Sequence, residues 1–117
     1  DSLVRGTTSR GLVQMIRQAG AKEVHFRIAS PPITGPCWYG IDTPSKSELI
    51  AANNTVGQIR GHLGVESLGY LSLDVMLRAA GGDPKEFCHA CFSGAYPTPI
   101  PDESARGRYE LPVAVPV

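Results

Sequence analysis

No apolar run in this sequence approaches the roughly 20 residues that cross a bilayer, and no basic start leads into an apolar block of signal-peptide kind. A membrane helix and a secretory leader are therefore not written in these residues. An excess of one charge is missing too: 11 Lys and Arg balance 11 Asp and Glu, without a cationic stripe. That removes the electrostatic footprint of a nucleic-acid or anionic-membrane binder, so neither partner is expected. Cysteine is scarce and odd in number, three in all, which argues against a closed disulfide framework and for reduced thiols or metal ligands in a cytoplasmic setting. The ATPase pattern G-x-x-x-x-G-K-[ST] is absent. The acidic residues Glu48, Glu66, Asp83, Glu86, Asp102 and Glu103 are scattered, so no carboxylate pair stands out as acid and base. With 117 residues the chain is one small domain or part of one, and a chain of this size buries roughly 65% of its unfolded surface.

What is present begins at the first residue. Asp1-Ser2-Leu3-Val4-Arg5-Gly6-Thr7-Thr8-Ser9 places an acid ahead of a short Gly/Thr/Ser loop and an apparent helix start. Gly6 permits a positive φ without a steric penalty, and the hydroxyls of Thr7, Thr8 and Ser9 are expected to cap a helix from about Ser9 to Ala19. Outward N–H groups and a partial positive charge at a helix start favour a phosphate there. Asp1 would serve ribose hydroxyls or a Mg²⁺ bridging ribose and pyrophosphate. A domain that opens inside a ligand loop is expected to be the C-terminal part of a longer polypeptide.

Regular elements alternate after the loop. Leu12, Ile16 and Ala19, flanked by Val13 and Met15, predict an apolar helical stripe ended by Gly20. Residues 23 to 29 alternate around Val24, Phe26 and Ile28, as a strand does. Trp38 to Ile41 predicts a short extended piece, and Lys46 to Ala52 a helix. Thr55 is placed to cap a further helix that Gly64 ends after Leu63; Leu68 to Leu71 is a brief strand; Ser72 or Asp74 opens a helix that runs to Gly81-Gly82. The order of helix and strand behind a phosphate loop is half of a βαβ unit, an α/β arrangement. Five prolines from Pro97 onward leave no room for a long helix or central strand, and no internal repeat is visible.

Cys37 and Cys88-His89-Ala90-Cys91 form a second constellation. A C-x-x-C brings two sulfurs close enough to share one metal atom or one cluster edge, and a distant third Cys can close on the same site. A thioredoxin-like redox pair lacks its fold pattern here; zinc held by the three thiols with a His, and buried free thiols, stay open. His25, His62, Trp38 and Tyr39 are expected to be ordinary surface or packing residues.

D-S-L-V-R-G-T-T-S resembles the phosphoribosyl pyrophosphate loop of type I phosphoribosyltransferases, and its R-G-T-T-S form is similar to the glutamine phosphoribosylpyrophosphate amidotransferases, the amidophosphoribosyltransferase family. A-G-A-K-E-V-H-F-R-I-A-S-P-P, P-C-W-Y-G-I-D-T-P, E-L-I-A-A-N-N, S-L-G-Y-L-S-L and F-C-H-A-C-F-S-G-A-Y-P resemble that family in the same order, to residue 97.

The resemblance implies the C-terminal part of a type I phosphoribosyltransferase fold over residues 1–80, an incomplete parallel sheet with helices. A cluster-binding segment at 81–97 and a Pro-rich tail at 98–117 would follow. It implies displacement of pyrophosphate from phosphoribosyl pyrophosphate by ammonia, giving 5-phosphoribosylamine for purine (IMP) synthesis. Asp1 would hold ribose and Mg²⁺; Gly6, Thr7, Thr8 and Ser9 would hold the 5′-phosphate, with Ser2 and Arg5 beside them. In the iron-sulfur type, Cys37, Cys88 and Cys91 would bind a [4Fe-4S] cluster as a structural staple, with the fourth ligand outside this chain. Implied partners are a glutaminase domain of the same polypeptide, purine nucleotide inhibitors and further copies in a homo-oligomer. No catalytic acid, base or nucleophile is expected here, so the chain alone should be inactive. The alternatives are a salvage phosphoribosyltransferase, which should lack the three cysteines, and a noncatalytic metal-stabilised regulatory module, which should lack phosphate affinity.

Overall fold

The computed structural model describes residues 2–81 and 83–101. Asp1 and the stretch 102–117, which holds most of the Pro-rich tail, lie outside the described residues. Helix α1 spans Thr7–Gln18 and is followed by strand β1, His25–Ile28. A 3-10 turn at Lys46–Glu48 leads into the single turn α2, Ile50–Asn53, and then α3, Val56–Leu63. Strand β2, Ser67–Tyr70, precedes α4, Leu73–Ala80; a 3-10 turn at Pro84–Glu86 and the short α5, Ala90–Ser93, complete the order.

β1 and β2 pair in parallel, with His25 opposite Ser67, Phe26 opposite Leu68, Arg27 opposite Gly69 and Ile28 opposite Tyr70. Parallel neighbours need a crossover, and α2 and α3 supply it. The core forms where the crossover meets the sheet: Val24 and Ile28 of the β1 region, Ile50, Ile59, Leu63 and Val65 of the crossover, and Leu3 and Val13 from the loop and α1. This is the expected α/β unit, and Thr55 caps α3 as its residue type demands. Its Oγ1 accepts the Gln58 N–H at 3.3 Å while the Gln58 carboxamide accepts the Thr55 N–H at 2.8 Å, a capping box. Gly64 closes the helix in the left-handed region at φ 69°. Ser72 caps α4 through the Val75 N–H at 3.3 Å.

Four expectations are corrected. Helix α1 starts at Thr7, not Ser9, and no side chain caps it. Gly6 occupies the cap position in a left-handed conformation, which places Thr7, Thr8 and Ser9 inside the first turn, so their hydroxyls do not serve as caps. The apolar stripe of α1 is mostly outside: Val13 is buried, whereas Leu12, Met15 and Ile16 are 46%, 66% and 38% exposed. Among the described residues the core reaches α1 at Val13, not at the predicted face. The stretch Trp38 to Ile41 forms bends, not a strand, and the helix expected from Lys46 to Ala52 divides at Leu49, whose extended φ, ψ of −75°, 115° interrupts the turn.

One carboxylate ties α1 to both strands. Glu66 accepts the Val24 N–H at 2.6 Å on one oxygen and the Arg17 guanidinium at 2.6 Å on the other, while Arg17 also donates to the Gly64 carbonyl at 2.8 Å. The Val24 amide first, and Arg17 second, hold the Glu66 carboxyl down at about 2 from an ordinary 4.5. A carboxyl depressed in the fold adds stability that is complete above its unfolded value and drains away as pH falls towards its folded one. Melting temperature is therefore expected to fall as pH drops from about 4.5 to about 2, and Glu66→Gln should flatten that slope in a series of thermal melts. Tyr70 offers a second check, since its buried hydroxyl has no hydrogen-bond partner among the described residues. Burying an unsatisfied hydroxyl costs about 1–3 kcal/mol, so Tyr70→Phe should hold or raise stability in urea denaturation, by up to about 1 kcal/mol.

Candidate functional site

Gly6 sits at φ 83° and is buried against the crossover. A Cβ there would lie 2.9 Å from Ile50 Cδ1 and 3.7 Å from His62 Cδ2, so both the angle and the space select glycine. The turn it makes aims the start of α1 into the open. The first intrahelical bond from this end is the Arg10 N–H to the Gly6 carbonyl at 2.9 Å, which leaves the N–H groups of Thr7, Thr8 and Ser9 without an intrahelical acceptor. No acidic side chain sits in the first turn to quench the positive end of the helix.

That helix start opens on a cavity of about 630 Å³, lined by the whole loop from Ser2 to Ser9 and by Leu12, Phe26, Arg27 and Ile28. The loop thus brings Ser2, Arg5, Gly6, Thr7, Thr8 and Ser9 to one cavity, as their spacing predicts, while Asp1 lies outside the described residues. Arg5 lines it as well, yet its guanidinium is already engaged. Nε and a terminal nitrogen donate to Glu48 Oε1 at 3.1 Å and 2.8 Å. Hydrogen bonds from the Ser45 hydroxyl and then from Arg5 hold the Glu48 carboxyl below its ordinary value.

The three thiols come together at a separate place. Segment 34–39 is zipped to segment 91–98: the Thr34 and Gly35 N–H groups donate to the Cys91 carbonyl at 3.1 Å and 3.2 Å, and the Tyr96 hydroxyl donates to the Pro36 carbonyl at 2.6 Å. Tyr39 and Tyr96 meet edge to face, their ring centres 5.2 Å apart. Cys37, Cys88 and Cys91 are all free thiols. Burial pushes the Cys91 thiol up, with Cys37 and then Cys88 adding to the rise, so each of the other two sulfurs lies within electrostatic reach of it. The Tyr39 N–H donates to Cys37 Sγ at 3.4 Å. Among the described residues no three His, Cys, Asp or Glu side chains converge tightly enough to hold one metal ion, and His89 Nδ1 is taken by Ser93 Oγ at 2.8 Å.

No protein-family model matches the chain. Individual relatives do. Amidophosphoribosyltransferase of Synechocystis is 54% identical over 111 residues, 95% of this chain and 22% of that protein. The amidophosphoribosyltransferase of Methanocaldococcus jannaschii is 54% identical over 108 residues, 92% of this chain and 22% of its own. Among solved structures, the allosteric regulatory enzyme of purine biosynthesis superposes with a TM-score of 0.79 at 50% identity, over 86% of this chain and 22% of that one. Over these residues the chain is similar to the amidophosphoribosyltransferases. Glutamine phosphoribosylpyrophosphate amidotransferase from B. subtilis, complexed with ADP and GMP, superposes with a TM-score of 0.77 at 49% identity, over 84% of this chain and 22% of that one.

The chain thus spans about a fifth of the length of the amidophosphoribosyltransferases it matches, and its fold is their phosphoribosyltransferase fold. Several cavity residues were not legible as such. Leu12, Phe26 and Arg27 read as helix stripe and strand alternation, and nothing local marks them as walls. Glu48 was passed over as a scattered acid, although Ser45-Lys46-Ser47-Glu48 carries the S-x-x-E signature of a capping box. His25 is exposed, as expected, and bonds Ser67 Oγ at 2.9 Å and Glu23 at 3.2 Å. None of these three residues lines the loop cavity.

Gly6→Ala should be the most damaging single change at the loop. A left-handed conformation costs an L-residue roughly 1–2 kcal/mol, and the added methyl must also displace the Ile50 side chain. Binding of inorganic phosphate or of a sugar phosphate, measured by calorimetry on the protein from its full reading frame, is expected to weaken by at least about tenfold.

Proposed function

We propose that this chain forms the sugar-phosphate half of an amidophosphoribosyltransferase active site. The enzyme would make 5-phosphoribosylamine from phosphoribosyl pyrophosphate and glutamine-derived ammonia, at the first step of de novo purine synthesis. One observation carries this: an uncapped helix start, turned outward by a left-handed glycine, faces a cavity large enough for a phosphorylated ribose. The neighbouring hydroxyls and main-chain donors suit the 5′-phosphate, which carries up to two negative charges and several acceptor oxygens.

In the reaction the ammonia nitrogen bonds to C1 of the ribose as the C1–O bond to pyrophosphate breaks, and one proton leaves the nitrogen. Gly6, Thr7, Thr8 and Ser9 hold the phosphate end, and Ser2 and Arg5 shape the wall beside it, so C1 is presented in a fixed direction. Phe26, Ile28 and Leu12 give the cavity an apolar side that limits water near a cation-like ribosyl centre. Asp1, outside the described residues, is assigned to the ribose hydroxyls and to Mg²⁺, which when bound neutralises charge on the departing pyrophosphate. No carboxylate lines the described part of the cavity, so the metal's other ligands are assigned elsewhere in the enzyme.

The three thiols are assigned to an iron-sulfur cluster, as a C-x-x-C with a distant third Cys allows. Cys37 and Cys88 each lie within electrostatic reach of Cys91, beside the seam between segments 34–39 and 91–98. Cys37, Cys88 and Cys91 would hold a [4Fe-4S] cluster whose fourth ligand comes from outside the chain, and when bound it supplies a covalent staple across that seam. Further partners assigned to the enzyme are a glutaminase domain, purine nucleotides and other subunits of a homo-oligomer. Its reduced thiols suit a cytoplasmic location. Among the described residues no helix is long and apolar enough to cross a membrane.

The test is a titration of phosphoribosyl pyrophosphate with Mg²⁺ into the protein expressed from its full reading frame under anaerobic conditions, with a visible spectrum of the same sample. Saturable binding is expected, together with a broad thiolate-to-iron absorption that Cys91→Ser abolishes. A missing isotherm overturns the transferase assignment; a colourless protein overturns the cluster.

A further inference from the structure

The geometry points to Glu48 as a positioning residue for the phosphate loop, acting through Arg5. This rests on the sugar-phosphate assignment above and deepens it, because it names what holds the loop in its binding shape.

Three contacts join the loop to the 45–50 segment. The Ile50 N–H donates to the Val4 carbonyl at 2.9 Å. Gly6 is seated on the Ile50 side chain, with room for hydrogen but not for a methyl. Between these two anchors Arg5 reaches across 43 positions of sequence to Glu48. A loop pinned at Val4 and Gly6 has one residue left to place, and that residue is the one Glu48 holds.

The carboxylate is itself fixed before Arg5 arrives. Glu48 Oε2 accepts the Ser45 N–H at 3.2 Å and the Ser45 hydroxyl at 3.0 Å, which leaves Oε1 to receive both nitrogens of Arg5. The capping box thus presents one oxygen in a set direction, and the guanidinium binds it through two donors. Arg5 stands between the loop cavity and a second one of about 210 Å³, lined on its other side by Ser47, Asn53, Asn54 and His62. Its guanidinium is thus held by Glu48 where the two cavities share a lining residue.

Stability does not account for this arrangement. The Arg5 and Glu48 side chains are 57% and 47% exposed, and pairs in that setting contribute little to folding. What the pair restricts is the path of Val4 to Gly6, hence the direction in which the start of α1 points.

Calorimetric titration of phosphoribosyl pyrophosphate with Mg²⁺ into the full-reading-frame protein, alongside thermal melts and steady-state kinetics, tests this. E48Q and R5M are each expected to weaken binding and raise KM by about tenfold, with melting temperature close to wild type and, for E48Q, kcat at saturation unchanged. The double variant should be no weaker than the weaker single one, since both remove the same contact. Should E48Q fail to fold, S45A serves, because it loosens Oε2 while keeping the charge pair: weakened binding supports the clamp and unchanged binding overturns it. Single variants that bind like wild type, losses that add in the double variant, or a lower melting temperature with normal affinity in the folded protein each overturn the inference alone. A wild-type protein with no isotherm overturns the sugar-phosphate assignment on which it stands, and the inference with it.

Discussion

With φ at 83° and its Cα face pressed on Ile50, Gly6 makes the chain turn within a single residue from the buried loop into helix α1. A residue with a side chain would relax towards negative φ, and the first turn would swing off its present line. Because the turn is left-handed, Thr7, Thr8 and Ser9 enter the helix directly and their N–H groups face the cavity, with no side chain spent on capping them. Electrostatics does the rest: aligned peptide dipoles put a fraction of positive charge at that end, with no first-turn acid to offset it. A helix end left unsatisfied in a fold is a cost unless something else supplies the acceptors, and an anion supplies several.

The crossover has two roles in this molecule. Ile50, Ile59 and Leu63 fill the core against β1 and β2, which fixes the height of the sheet relative to α3. The same segment, on its other side, carries the seat for Gly6, the N–H that grips Val4 and the carboxylate that grips Arg5. Packing energy and loop geometry are thus coupled through residues 45–50. The thiol seam is built differently, from main-chain bonds and an edge-to-face tyrosine pair between segments far apart in sequence. It contributes little to the core of the sheet, since none of Cys37, Cys88 and Cys91 belongs to that cluster.

The pieces that local chemistry controls were read correctly. Thr55, with Gln58 three residues on, and Gly64 bound α3 because caps and left-handed stops act over a single turn. The alternation around Val24, Phe26 and Ile28 marked β1, although only four residues of it pair, since strand length depends on the neighbour. The loop from Ser2 to Ser9 was legible as one site because its glycine and its hydroxyls lie within a few residues of each other, and it lines one cavity. Its capping was misjudged for the same reason: Thr and Ser are good caps in general, and the left-handed Gly6 that displaces them from that role is set by Ile50, far away in sequence.

By itself the sequence determined most kinds of element and the ends of α3 and α4, because propensity, capping and period are settled among neighbours within about one turn. Tertiary structure alone decided that Leu12, Met15 and Ile16 stay outside while Val13 goes in, that Arg5 meets Glu48, and that the segment with Cys37 is bonded to the segment with Cys91. Such pairings depend on how the crossover packs across the two strands and which loops that packing closes, and no spacing along the chain carries that information.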